Sequence, residues 1–179
     1  SSHTCAILDT GQVRCWGVNA SGQLGTGVAG SIGDNEAVSA GNVVDLGAGR
    51  TAVAITAGAL HSCAILDTGA VRCWGANTVG QIGTGAAGAI GDDEPVSSVA
   101  PVDLGAGRTA IAITAGANHT CATLDTEAVR CWGDGAAGRP CTGSQWEAYR
   151  VAAERQASSD GLIPDLHGLF DSLSSVLPQ

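Results

Sequence analysis

Two stretches of 58 residues repeat almost letter for letter, and a third copy begins behind them. Residues 3–60 open HTCAILDTGQVRCWGVNASGQLGTG; residues 61–118 open HSCAILDTGAVRCWGANTVGQIGTG. Aligned without gaps, 16 of the 58 positions differ and 42 agree. A third start, HTCATLDTEAVRCWG at residues 119–133, agrees with the second copy at 12 of 15 positions. A long fixed period means stacked copies of one supersecondary unit, none of which can bury its apolar face alone. It also sorts the residues by purpose. Those present in every copy build the unit, and those that differ are where a specific surface would be written.

One copy reads as short strands. Ala52-Val53-Ala54-Ile55-Thr56 and Ala110-Ile111-Ala112-Ile113-Thr114 alternate large and small apolar residues, the period of a strand. Each is preceded by GAGR and followed by Ala-Gly-Ala, both turn-like. His61 to Leu66 and Ala70 to Trp74 read as two further strands around an Asp67-Thr68-Gly69 loop. A three-residue hairpin wants a left-handed last residue, which Gly adopts freely. The third copy has Glu127 there, so a looser or differently shaped turn is expected. Asn42 to Leu46 completes the unit as a fourth strand. Four short strands per copy, all joined by turns, predict an all-β propeller-type array of about two and a half blades.

The cysteines fit this hairpin. Six of the seven fall in pairs ten apart: Cys5 and Cys15, Cys63 and Cys73, Cys121 and Cys131. A three-residue loop at Asp9-Thr10-Gly11 sets Ile7 opposite Val13 and Cys5 opposite Cys15. Directly opposed residues of an antiparallel pair lie about 4.5–5.5 Å apart at Cα, within disulfide range. Three cross-strand disulfides are expected, with Cys141 left over. A regular even cysteine framework points to an oxidising compartment: secreted, periplasmic or cell surface.

Composition excludes some functions. Net charge is −9, and the eight basic residues are all Arg, spread along the chain. No basic stripe is available to neutralise phosphates, so nucleic acid is not an expected partner. No apolar run approaches 18 residues, so no membrane span is expected. No signal peptide is visible, but the chain opens inside a repeat at Ser1-Ser2-His3, and the natural protein is expected to extend upstream.

The marks His-Ser-Cys-Ala-x-Leu at 61–66, Val71 through Gly75, and Asn77-x-x-Gly-Gln-x-Gly at 77–83 recur in order. Together they resemble the regulator of chromosome condensation repeat family over residues 3–133. The resemblance is greatest to the cysteine-bearing repeats of bacterial extracellular members. It implies a β-propeller, seven-bladed in complete members, used as a binding platform. The eukaryotic namesake is a guanine-nucleotide exchange factor that docks on chromatin, but no residue of an exchange site can be matched here. Some bacterial relatives inhibit β-lactamases, which keeps an enzyme-inhibitor or enzyme-associated module as the alternative, beside a purely structural spacer. Two copies and a fraction cannot close a seven-bladed ring, so open edges favour self-association.

Beyond residue 143 the resemblance stops. Leu162, Ile163, Leu166, Leu169, Phe170, Leu173, Val176 and Leu177 fall at helical spacing, with Pro164 in the first turn and Asp160 as N-cap. Residues 144–179 are thus expected to form a divergent tail with an amphipathic helix near 163–177 and a shorter one across 145–156. A cap on the array, a partner-binding helix and an unpacked tail all remain open.

Chemistry is sparse. His3, Cys5 and Cys15, with their repeats, offer three metal ligands but no fourth and no usual zinc spacing. The acidic loops at 34–36 and 92–94 lack the alternating carboxylates of a calcium loop. Each of His3, His61 and His119 precedes an aspartate by six residues, placing the two at opposite ends of a strand. No one-off catalytic constellation stands out. Asn19-Ala20-Ser21 and Asn118-His119-Thr120 match glycosylation acceptors, a pattern turn chemistry also produces. The expected function is therefore non-enzymatic protein binding without a metal or cofactor. The contact residues are those that vary between copies on the inter-strand loops: Val18, Ala20, Ser21, Ala76, Thr78 and Val79.

Overall fold

The computed structural model describes residues 2–85 and 88–134, which belong to one compact unit. The expected helices at 145–156 and 163–177 lie outside the described residues, as does Cys141. Among the described residues there are eight strands: β1 (His3–Ile7), β2 (Val13–Gly17), β3 (Ala52–Ala57), β4 (His61–Leu66), β5 (Val71–Gly75), β6 (Ala110–Ala115), β7 (His119–Leu124) and β8 (Val129–Gly133). They form three antiparallel sheets, β1-β2, β3-β4-β5 and β6-β7-β8. Among the described residues, helix is confined to two 3-10 turns, Val38–Ala40 and Val96–Ser98.

The sheets are out of phase with the sequence repeat. The copy boundary at 60/61 falls between β3 and β4, so each three-stranded sheet takes its first strand from the preceding copy. The backbone therefore links each of the first two copies to two sheets.

Hairpin register follows from the loop. Leu8 N donates to Gln12 O at 2.8 Å and Gly11 N to Leu8 O at 2.9 Å. This sets Ile7 against Val13 and Cys5 against Cys15. The other two hairpins pair Cys63 with Cys73 and Cys121 with Cys131. The three cysteine pairs are disulfide-bonded, with Cα atoms 4.0–4.1 Å apart. Gly11 and Gly69 both sit at φ +76°.

Glu127 departs from its expectation. It takes the same left-handed conformation, φ +67°, and its N–H makes the same bond, to Leu124 O at 2.8 Å. The ladder of β7 and β8, pinned by Cys121–Cys131, dictates the turn, and the side chain bears the steric cost of roughly 1–2 kcal/mol.

Two further details differ from the simple alternating reading. In β3, Ala52 pairs with Leu66 and Ala54 with Ile65, so Val53 stands at a bulge and is 53% exposed. Ile111 repeats this in β6, at 57%. The extra residue has no cross-strand partner and points away from the core. The expected fourth strand, Asn42 to Leu46, lies beside β2 with a single backbone bond, Val44 N to Val13 O at 2.9 Å. Its counterpart is Val102 N to Val71 O at 2.8 Å, where the preceding Pro101 has no N–H to extend a ladder. Arg14 and Arg72 anchor the approach instead. Arg14 donates to Val38 O and Gly41 O at 3.1 and 2.7 Å, and Arg72 to Val96 O and Val99 O.

The core runs through the stack, from Val13, Leu24 and Leu46 to Ile65, Val71, Trp74 and Ile82, then Leu104 and Leu124. All six residues of β4 are buried. Many side chains between sheets are only Ala or Cys, so backbones approach closely and hydrogen bonds carry much of the specificity.

Two outcomes test this account. Glu127→Gly should raise the unfolding free energy by about 1 kcal/mol, seen as a higher denaturant midpoint, because the strain is removed at a position glycine tolerates; an unchanged or lower midpoint contradicts it. Replacing Cys63 and Cys73 together with Ser should lower stability by about 2–3 kcal/mol through loss of a short loop closure, read by the same titration under non-reducing conditions.

Candidate functional site

The residues common to all copies meet at the joints between sheets. His3 Nε2 lies 2.8 Å from Ser62 Oγ, and His61 Nε2 lies 2.9 Å from Thr120 Oγ1. Each hydroxyl also donates to a main-chain carbonyl, Ser62 to Gln23 O at 3.0 Å and Thr120 to Gln81 O at 3.1 Å. A carbonyl only accepts, so the hydroxyl proton is committed there and the histidine donates through Nε2–H. Trp74 Nε1 donates to the same Gln23 O at 3.1 Å. A Cβ added to Gly25 would stand 2.7 Å from the Trp74 ring, and one on Gly83 would stand 2.6 Å from Trp132. The Gly-Gln-x-Gly run is thus a socket for the next sheet's tryptophan and hydroxyl. Ala115 N to Thr56 Oγ1 at 3.0 Å, Gly27 N to Gly91 O at 3.2 Å and Ser97 Oγ to Asp45 Oδ2 at 2.7 Å fasten the same joints.

Sequence reasoning did not find this latch. The available signal was the hydroxyl kept at Thr4, Ser62 and Thr120, whose partner lies 59 residues away. His61 is fully buried, and its Nδ1 has no hydrogen-bond partner. Burial first, then the nearby His3 and His119, pushes its pKa down to about 4. His3 is lowered as well, chiefly by burial.

The same frame presents the residues that vary. Asn19 Oδ1 accepts from Leu24 N at 3.0 Å, and Gln23 Oε1 accepts from Ser21 N at 2.8 Å. In the next copy Asn77 Oδ1 accepts from Ile82 N at 3.4 Å and Gln81 Oε1 from Val79 N at 3.0 Å. Invariant side chains therefore fix the backbone of the variable tips Ala20-Ser21 and Thr78-Val79. A depression of about 350 Å³ opens between the two copies, lined by Ala20 and Ser21 from one and by Ala76, Asn77, Thr78, Gly88, Ala89 and Asp92 from the other. Four of the six expected contact residues share this one concavity. Ala76 forms its floor, at only 6% exposure, rather than projecting as a loop contact. Val18 and Val79 are exposed outside it, at 39% and 43%.

Other candidates come apart. The paired cysteines are bonded to each other and offer no thiolate to a metal. Asn19 is buried, and its side-chain N–H donates to Val28 O at 2.9 Å, so it is no glycosylation acceptor in the folded chain. Glu36 folds back on its own loop, accepting from Gly33 N and Asn35 N at 2.9 and 3.3 Å. Asp67 and Asp125 pair with Arg50 and Arg108 at 3.2 and 3.4 Å. At 92–94, carboxylate oxygens of Asp92, Asp93 and Glu94 lie within 4.8 Å of one another. Burial, aided by the hydrogen bond with Asp93 and the charge of Asp92, holds Glu94 above its ordinary range. Among the described residues no helix is long and apolar enough to cross a membrane.

Two family models for the regulator of chromosome condensation (RCC1) repeat match the chain, one at residues 1–23, 52–81 and 110–139 and the other at 68–123. The chain belongs to the RCC1 repeat family. Two of the matched segments begin at the first strands of the three-stranded sheets, β3 and β6, so the family pattern follows the sheet rather than the copy. Human E3 ubiquitin-protein ligase HERC2 is 29% identical over 137 residues, 76% of this chain and 3% of that protein. Mouse protein RCC2 is 33% identical over 85 residues, 48% of this chain and 15% of that protein. Among solved structures, Prp20p of Saccharomyces cerevisiae aligns at a TM-score of 0.57 with 21% identity, over 75% of this chain and 32% of its own. Human WBSCR16 aligns at 0.59 with 17% identity, over 74% and 31%. The chain spans a small fraction of the curated relatives and about a third of the structural ones. The sheets are RCC1-type propeller blades.

Buried His61 makes the packing of these blades acid-sensitive. His61 titrates near 6.5 when unfolded and near 4 when folded, so the folded state resists its protonation. Its contribution is complete above pH 6.5 and is lost as pH falls from 6.5 toward 4. That loss amounts to about 3 kcal/mol. Urea midpoints at pH 7.5 and pH 4.5 should show the decline. His61→Gln should lower the midpoint at pH 7.5 and flatten the profile; an equally steep profile in that variant would remove the latch from the explanation.

Proposed function

We propose that this RCC1-repeat chain is a non-enzymatic protein-binding module whose contact surface is the row of loops between blades. One observation carries the reading. Residues that differ between copies, Ala20 and Ser21 with Ala76 and Thr78, converge from two blades on one concavity, while residues common to the copies are buried in the joint beneath. A structural spacer would need the frame but has no use for varied tips around a common hollow. Prp20p of Saccharomyces cerevisiae binds Gsp1p and histones, so in that protein RCC1-type blades serve protein binding. The disulfides support placement in a secreted, periplasmic or surface setting, where such bonds persist.

A photo-crosslinking side chain at Thr78 should capture a protein partner from the native source, and the same group at Gln12, on a remote hairpin, should not. Ser21→Trp with Thr78→Trp should weaken that capture at least tenfold, with stability changed by no more than about 0.5 kcal/mol, the usual range for surface substitutions. Equal capture at both positions, or capture indifferent to the double change, defeats the reading.

A further inference from the structure

We infer that the concavity between the first two blades receives an arginine or lysine side chain of a partner protein. This rests on the protein-binding reading above and specifies its chemistry. The hollow, about 350 Å³, is at the small end for a ligand site and suits one long side chain rather than a cofactor. Ala20, Ala76 and Ala89 offer apolar wall to a methylene stem. Asp92 stands in the same wall, and Asp93 and Glu94 hold two more carboxylates within 4.8 Å of it.

Among the described residues no ion pair reaches this wall. Arg50 and Arg108 pair with Asp67 and Asp125, Arg14 and Arg72 are tied to main-chain carbonyls, and Arg130 stands beside Gly105. The chain has no lysine and a net charge of −9, so a second copy is a poor donor and a basic partner is the complementary one. Closely placed like charges gain from an entering cation what they lose to one another without it.

The test uses the full chain, isotopically labelled, titrated with the blocked peptide Gly-Ser-Arg-Gly-Ser and with the same peptide carrying citrulline, the neutral isostere of arginine. The arginine peptide should shift the amides of Ala20, Ser21, Ala76, Thr78 and Asp92. Its affinity should fall at least threefold between 50 and 300 mM salt, as screened charge contacts do. Citrulline should abolish the shifts, and Asp92→Asn should weaken binding at least fivefold with an unchanged melt. Equal binding of both peptides at this site overturns the cationic assignment and leaves protein binding intact. Arginine-peptide shifts absent, or confined to other loops, overturn the assignment. Millimolar Ca²⁺ that shifts residues 92–94 and displaces the peptide would make the wall a metal site and overturn it as well. Failure of the protein-binding reading is separate, since it would appear as equal crosslinking at Thr78 and Gln12 or as capture indifferent to the double tryptophan change.

Discussion

A buried hydroxyl at the start of β4 and of β7 sets the spacing of the whole array. Ser62 and Thr120 each accept from a histidine of one blade and donate to the Gly-Gln-x-Gly socket carbonyl, with Trp74 donating into the same Gln23 O. Alanine-rich faces bury little area, so apolar packing alone would let blades slide. Hydrogen bonds between buried groups have no water to fall back on, so the register that satisfies them is strongly preferred. The latch thus supplies the positional precision that small side chains cannot.

That precision explains the division between fixed and varied residues. Asn19 and Gln23, with Asn77 and Gln81, each hold a backbone N–H of their own loop, so the loop tips keep one shape whatever side chains they carry. Ala20, Ser21 and Thr78 can then differ between copies at little cost to the fold, because they touch only the hollow and solvent. Asp92 reaches that hollow because the 90–92 loop packs on Gly22, where a Cβ would stand 2.7 Å from Asp92 N.

Much of this fold was legible in the sequence, for local reasons. A loop of three residues with cysteines ten apart fixes the hairpin register without outside information. The repeat period gives the number of units, and Gly-Gln-x-Gly marks a tight turn. The phase of the sheets was not legible, since a period has no origin: only the pairing of β3 with β4 shows that Ala52–Ala57 serves the following copy. The Glu127 turn misled because local propensity argued against a shape that the flanking strands impose. Of the candidate surface, the variable positions were readable from copy-to-copy differences. Ala76 as a floor and Asp92 as a wall were not, since both depend on how neighbouring blades meet.

The central claim is that the histidine–hydroxyl bond couples one blade to the next. A double-mutant cycle measures it directly, with His61→Leu, Thr120→Val and the pair compared with the parent by urea unfolding at pH 7.5. The account predicts that the two changes are strongly non-additive, with a coupling of about 1–3 kcal/mol, because removing either partner strands the other. Additivity to within about 0.5 kcal/mol would contradict it and would leave the blades held by packing alone.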